Sequence, residues 1–153
     1  MRSIFWIIIH CSASDVPSHD NPQTIDEWHK ARGWDGIGYH YYIDKQGTIF
    51  RGRQDWVIGA GVYGKNSHSL HICLGGLNNF SFPQGLAMYQ KVLELKAEYP
   101  LAQVAAHNRF DKKKLCPNFD NIFLFGGLNG YSIEQKTAQD DGRSLKEEAK
   151  ISN

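Results

Sequence analysis

Two histidines and a cysteine, His10, His107 and Cys116, stand at positions from which they could do chemistry together. His10 closes the run IIIH and His107 closes LAQVAAH, so each follows a stretch that reads as a β-strand. Sheets of α/β proteins place their sites at such strand ends. Nine residues beyond His107, Cys116 sits in KKKLCPNFD, with Pro117 stiffening the loop behind it. Two imidazoles and a thiolate form a borderline-soft ligand set that suits zinc, and three protein ligands leave a fourth position open, as in a catalytic rather than a structural site. A plainer reading stands beside this one. Strand-end histidines are common in cores and on surfaces, and no spacing rule such as HExxH ties His10 to His107.

Other candidates read as packing. Cys11 follows His10 directly, so strand alternation turns it to the opposite face. His71 and Cys73 share one face of LHICL and could hold a metal, but two ligands without a third favour packing beside the site. Three cysteines without a close CxxC pair argue against a disulfide framework and for a reducing compartment.

The elements that must position these residues follow from periodicity. Phe5 to Ile9 is a continuous apolar run, the pattern of a strand covered on both faces. Thr24 and Glu27 have the spacing of a capping box, and Ile25, Trp28, His29 and Arg32 then share one helical face before Gly33. YHYYI and TIFRG flank DKQG and read as a hairpin, and LHICL as a further strand closed by Gly75 and Gly76. Pro83 opens a second helix running to Tyr99, with Leu86, Tyr89 and Leu93 as its expected apolar face. The order strand, helix, hairpin, strand, helix, strand predicts an α/β single domain with a central mixed β-sheet flanked by helices and the metal site at the strand ends. The expected domain spans residues 1–125. Residues 126–153 are polar and read as a mobile or peripheral tail.

Seventeen basic against sixteen acidic residues, with no basic block, give no footprint for nucleic acid. The N-terminal apolar run is shorter than a signal-peptide core and is closed by a histidine, and no stretch approaches the ~20 apolar residues of a membrane span. Synthesis in the cytoplasm, without membrane insertion and as a monomer, is therefore expected.

The stretches IIIHCSAS, IDEWHKARGWDGIGYHYYIDKQGTIFRGR, HSLHICLGG and AAHNRFDKKKLCPNFD, in this order, resemble the type 2 N-acetylmuramoyl-L-alanine amidases. That family includes phage lysozyme-type amidases and the animal peptidoglycan recognition proteins. The resemblance covers about residues 4 to 120 and implies one zinc ion bound by His10, His107 and Cys116, with cysteine as the third ligand in the phage-like branch. It implies that Tyr39, in GYH, is the catalytic tyrosine and that Lys114 is the lysine accompanying it. Trp28 and His29 are candidates for a substrate groove, although a helix needs such residues for packing too. His40, next to Tyr39, points to the other face of the strand and reads as structural or as a support behind the site residues. The implied reaction cleaves the amide between N-acetylmuramic acid and L-alanine in peptidoglycan, and the absence of an evident wall-binding module suggests an endolysin of a phage or prophage, with a secretion effector as the alternative. A non-catalytic peptidoglycan-binding module and a zinc hydrolase of another amide are the competing expectations.

Two departures from the family pattern stand out. Where relatives carry a histidine in a GxHA-like stretch after the hairpin, this chain reads GAGV and offers Gly61. The interval from His107 to Cys116 is one residue longer than the phage branch leads one to expect.

Overall fold

The computed structural model describes residues 1–119. The expected boundary at 125 and the tail 126–153 lie outside the described residues. Within them the elements are β1 (Trp6–Cys11), α1 (Pro22–Ala31), β2 (Tyr41–Ile43), β3 (Ile49–Arg51), β4 (Ser69–Leu74), α2 (Phe82–Glu98) and β5 (Gln103–Ala106). Short 3-10 turns occur at Pro17–His19, Asn66–His68 and His107–Arg109. No described helix is long and apolar enough to cross a membrane.

The five strands form one mixed sheet in the order β3-β2-β4-β1-β5. β1 runs parallel to both β4 and β5, β2 runs parallel to β4, and β3 is antiparallel to β2. Ile7, Ile8 and Ile9 are fully buried, as an apolar run covered on both faces must be. Burying each removes apolar surface worth roughly 2–3 kcal/mol, which fixes this strand firmly in the sheet.

Helices cover both faces. Ile25 of α1 packs with Tyr42 and Cys73, with Trp28, Ile37, Tyr39 and Phe50 against that cluster. Lys91 of α2 lies over the ring of Tyr41, 4.9 Å from its centroid. Tyr41 and Tyr42 are consecutive in β2 and point to opposite faces, so the two helices sit on opposite sides of the sheet.

Three local expectations are corrected. The cap of α1 is Asn21, whose side chain accepts the Thr24 amide at 2.8 Å, and not Thr24 itself. Asn21 followed by Pro22 supplies both the acceptor and the preset first turn, so the helix starts three residues earlier than the Thr24–Glu27 pair suggests. The hairpin strands are shorter than expected, and Tyr39 and His40 precede β2. The third correction concerns α2. Its buried positions are Gln84, Ala87, Met88, Val92 and Leu95, whereas Leu86, Tyr89 and Leu93 are exposed, Leu93 by 48%. Gln84 explains the rotation: its side-chain amide donates to the Ile43 and Gly75 carbonyls at 3.0 and 2.8 Å, locking the first turn to the ends of β2 and β4. A capping box between Ser81 and Gln84 closes the same turn. Met88→Ala is therefore expected to cost about 2–5 kcal/mol in chemical denaturation, whereas Leu93→Gln should stay within about 0.5 kcal/mol of the parent. Equal costs would refute this helix orientation.

Candidate active site

The register of the sheet builds the site. Ile9 of β1 faces Ala106 of β5, so the next residues along the two parallel strands are His10 and His107. His10 is fully buried near the end of β1, and His107 opens the turn that follows β5. The loop beyond it is drawn back by the Asn108 amide, which donates to the Cys116 carbonyl at 3.0 Å. The Cys11 amide donates in turn to Cys116 Sγ at 3.2 Å, which favours negative charge on sulfur, while the Cys11 thiol and then burial push the Cys116 thiol up in the metal-free chain.

Three donor atoms converge as a result. His10 Nδ1 lies 3.2 Å from His107 Nδ1 and 3.9 Å from Cys116 Sγ, and all three atoms fall within 4.8 Å of one another. Tetrahedral zinc with bonds of about 2.05 Å to nitrogen and 2.3 Å to sulfur spaces its donors about 3.3 Å (N to N) and about 3.6 Å (N to S) apart. The donor set and the two spacings from His10 are thus close to those zinc requires. Burial, followed by the neighbouring His71, His107 and His29, holds the His10 pKa well below the ordinary histidine value. Burial and then the charge of Lys114 lower that of His107, against Asp111. Both rings are therefore neutral near pH 7, the form in which imidazole binds a metal.

Tyr39 packs beside this centre, against His10. Its ring centroid lies 4.9 Å from that of His10. Burial, and then the thiols of Cys73, Cys116 and Cys11, push its phenol well above the usual value near 10, so it remains an O–H donor at neutral pH. The segment before it is tightly held. The Gly38 amide donates to His29 Nδ1 at 2.8 Å, and the Gly38 carbonyl accepts from the Ala60 amide at 2.9 Å. A side chain at 38 would meet the Ala60 carbonyl oxygen at 2.3 Å, which explains the glycine of GYH.

The remaining candidates fall into different places. Lys114 is exposed on the loop leading to Cys116, close enough to His107 for its charge to be felt there. His29 is buried against the Trp34 and Tyr39 rings, and its link to Gly38 makes it a support for Tyr39. Trp28 is half-buried, its ring edge-on to His19 at 5.0 Å. His40 is buried, accepting the His71 amide at Nδ1 and approaching the Val57 carbonyl with Nε2 at 2.9 Å. Cys11 is buried as expected, but its thiol also reaches Cys116. It is the last residue of β1, and the chain leaves the pleat by Ala13, at φ 60°, so alternation no longer confines it to the far face. His71 lies closer to the site than packing alone suggests, with Nδ1 3.0 Å from His10 Nε2. Its place on the face of Cys73, opposite His10 in the register, was the available signal.

The model of the N-acetylmuramoyl-L-alanine amidase family matches residues 1–119. The chain belongs to this family. Similar proteins include the endolysin of Klebsiella phage KP32, 37% identical over 74% of this chain and 80% of that protein. The endolysin of Enterobacteria phage K11 is 38% identical over 73% and 79% of the two chains. Among solved structures, the N-acetylmuramoyl-L-alanine amidase LysC from Clostridium intestinale superposes with a TM-score of 0.75 at 31% identity, covering 84% of this chain and 87% of LysC. Drosophila PGRP-LB, at 24% identity and a TM-score of 0.67 over 86% and 82%, shares the fold. In this amidase the mixed sheet with flanking helices is therefore the family's architecture.

The buried histidines should also make the amidase acid-sensitive. Burial, with Arg32 and Arg53 nearby, holds His29 down to about 4, and burial holds His40 at about 4 despite the opposing Val57 carbonyl. In the unfolded chain both take up protons near 6.5, so the stability they confer is complete above that pH and is lost as pH falls towards 4. Each contributes a slope of about 1.4 kcal/mol per pH unit in this window. The melting temperature of the metal-free protein should fall steadily from pH 7 to pH 5; a flat profile would contradict this.

Proposed function

We propose that this amidase hydrolyses the bond between the lactyl group of N-acetylmuramic acid and L-alanine in peptidoglycan, with one zinc ion held by His10, His107 and Cys116. The observation that carries the reading is the convergence of these three donors, with the ring of Tyr39 packed against His10, in a chain of this family. When bound there, zinc supplies a water of lowered pKa and polarises the carbonyl as a Lewis acid.

The chain's own residues supply the rest. An amide resists attack because resonance stabilises its carbonyl, so charge developing on that oxygen needs donors already in place. Tyr39, protonated at neutral pH and its backbone held through Gly38, offers an O–H donor beside the centre. Lys114 adds a positive charge from the loop side. The buried rings of His10 and His71 and the apolar strand beneath them keep bulk water from one side of the centre. The endolysin relatives support wall breakdown after release from the cytoplasm as the setting.

Digestion of purified peptidoglycan, read by mass spectrometry, tests this reading. Stem peptides with a free L-alanine amino terminus should appear together with glycan strands that keep their lactyl groups. Binding without release would identify a recognition module, and cleavage of amides lacking the muramyl group would identify another substrate.

A further inference from the structure

The feature of this core that the reaction does not use is the buried imidazole of His71. It is fully inaccessible, and its Nε2 has no hydrogen-bond partner among the described residues. An aliphatic side chain would fill the same space without burying an unsatisfied polar atom, so packing alone does not account for a histidine here. Its other nitrogen is engaged: Nδ1 lies 3.0 Å from Nε2 of His10. In the register, Ile8 faces His71 and His10 faces Cys73, which puts His71 and His10 on one face as diagonal neighbours of adjacent strands.

The ring is held from several sides. The His71 amide donates to His40 Nδ1 at 3.0 Å, and the two imidazoles stack with centroids 5.7 Å apart. On the side of the loop after β3, two glycines make room. A Cβ at Gly59 would come within 2.6 Å of His71 Cδ2, and a Cβ at Gly61 within 2.6 Å of His71 Nδ1. The Gly61 amide is itself anchored to Asn66 Oδ1 at 3.0 Å. The departure at Gly61 thereby acquires a physical reason: the space that a side chain there would enter is filled by the imidazole of β4.

We propose that His71 is a positioning residue for the metal centre, accepting a hydrogen bond from His10 Nε2–H and thereby fixing His10 with its Nδ1 towards the ion, and that Gly59 and Gly61 are the cradle that admits it. This rests on the reading that His10, His107 and Cys116 hold the metal. The direction of the bond follows from the geometry. His10 turns Nδ1 to His107 and Cys116, so a metal on Nδ1 leaves its proton on Nε2, which points at His71 Nδ1. An acceptor at that point sets the ring orientation and raises the basicity of the ligand.

The test measures Zn2+ affinity by competition with a chromophoric chelator, and the visible spectrum of the Co2+-substituted protein, in the parent and three variants. His71→Leu removes the acceptor while keeping bulk, and its Zn2+ affinity should fall about 10- to 100-fold with a changed Co2+ spectrum. His71→Asn returns an acceptor oxygen close to the position of Nδ1 and should recover most of that loss. Gly61→Ala keeps the imidazole but drives a methyl group into it, and should weaken Zn2+ binding as His71→Leu does; it carries the same expectation if the leucine variant does not fold. Unchanged affinity and spectrum in folded His71→Leu, or an asparagine variant no tighter than the leucine one, would overturn the assignment. A parent chain that binds no Zn2+ would instead overturn the reading of the site itself.

Discussion

Replacing Cys116 by serine is expected to lower turnover of peptidoglycan by more than about 1000-fold and to abolish tight zinc binding, while the protein still folds. The sulfur is the one soft donor of the set, and its loop is held independently by the bond from the Asn108 amide to the Cys116 carbonyl. Serine keeps that backbone bond and nearly the same volume, so the loss falls on the ligand set. Metal-ion catalysis contributes several kcal/mol, and each 1.4 kcal/mol is about tenfold in rate. Metal content after dialysis, read beside activity, checks both halves of the expectation. Activity within tenfold of the parent would remove Cys116 from the centre.

Tyr39→Phe should leave metal binding intact and lower kcat by about 100- to 1000-fold with little change in KM, the usual cost of losing one preorganised donor to an oxyanion. The ring that packs on His10 and against the Ile25, Tyr42 and Cys73 cluster is retained, so only the hydroxyl is removed. A loss seen mainly in KM would point to ground-state binding. Activity within a few-fold of the parent would show that the hydroxyl takes no part in the transition state.

Much of this molecule is legible in its sequence, for identifiable reasons. The Ile7–Ile9 run can only be a strand buried on both faces, and DKQG between strand-like segments forces a reversal, so the element order follows directly. That His10, His107 and Cys116 come together is partly readable, because the two histidines end strands and Cys116 follows in a stiffened loop. Rotation about a helix axis is less legible. In α2 the apolar residues Leu86, Tyr89 and Leu93 suggest an inward stripe, but a polar residue, Gln84, finds two backbone carbonyls at strand ends and turns that stripe to solvent. Periodicity weighs hydrophobicity and cannot see a hydrogen bond made across the fold. The partnership of His71 with His10 is hidden for the same reason, since it depends on which strands are neighbours. Gly61 reads as a missing contact until the ring occupying its side-chain space is located.

Under the proposed function, His10 and His107 at the ends of two adjacent strands and Cys116 on the loop beyond hold one zinc ion with which this chain cuts the muramyl–alanine amide. The most direct measurement is the release of L-alanine amino termini from purified peptidoglycan by metal-free protein as Zn2+ is added back. Release should be negligible without metal, rise in proportion to added Zn2+ until it saturates at one ion per chain, and not rise at all in Cys116→Ser. Release by the metal-free protein equal to that of the reconstituted one would contradict this reading.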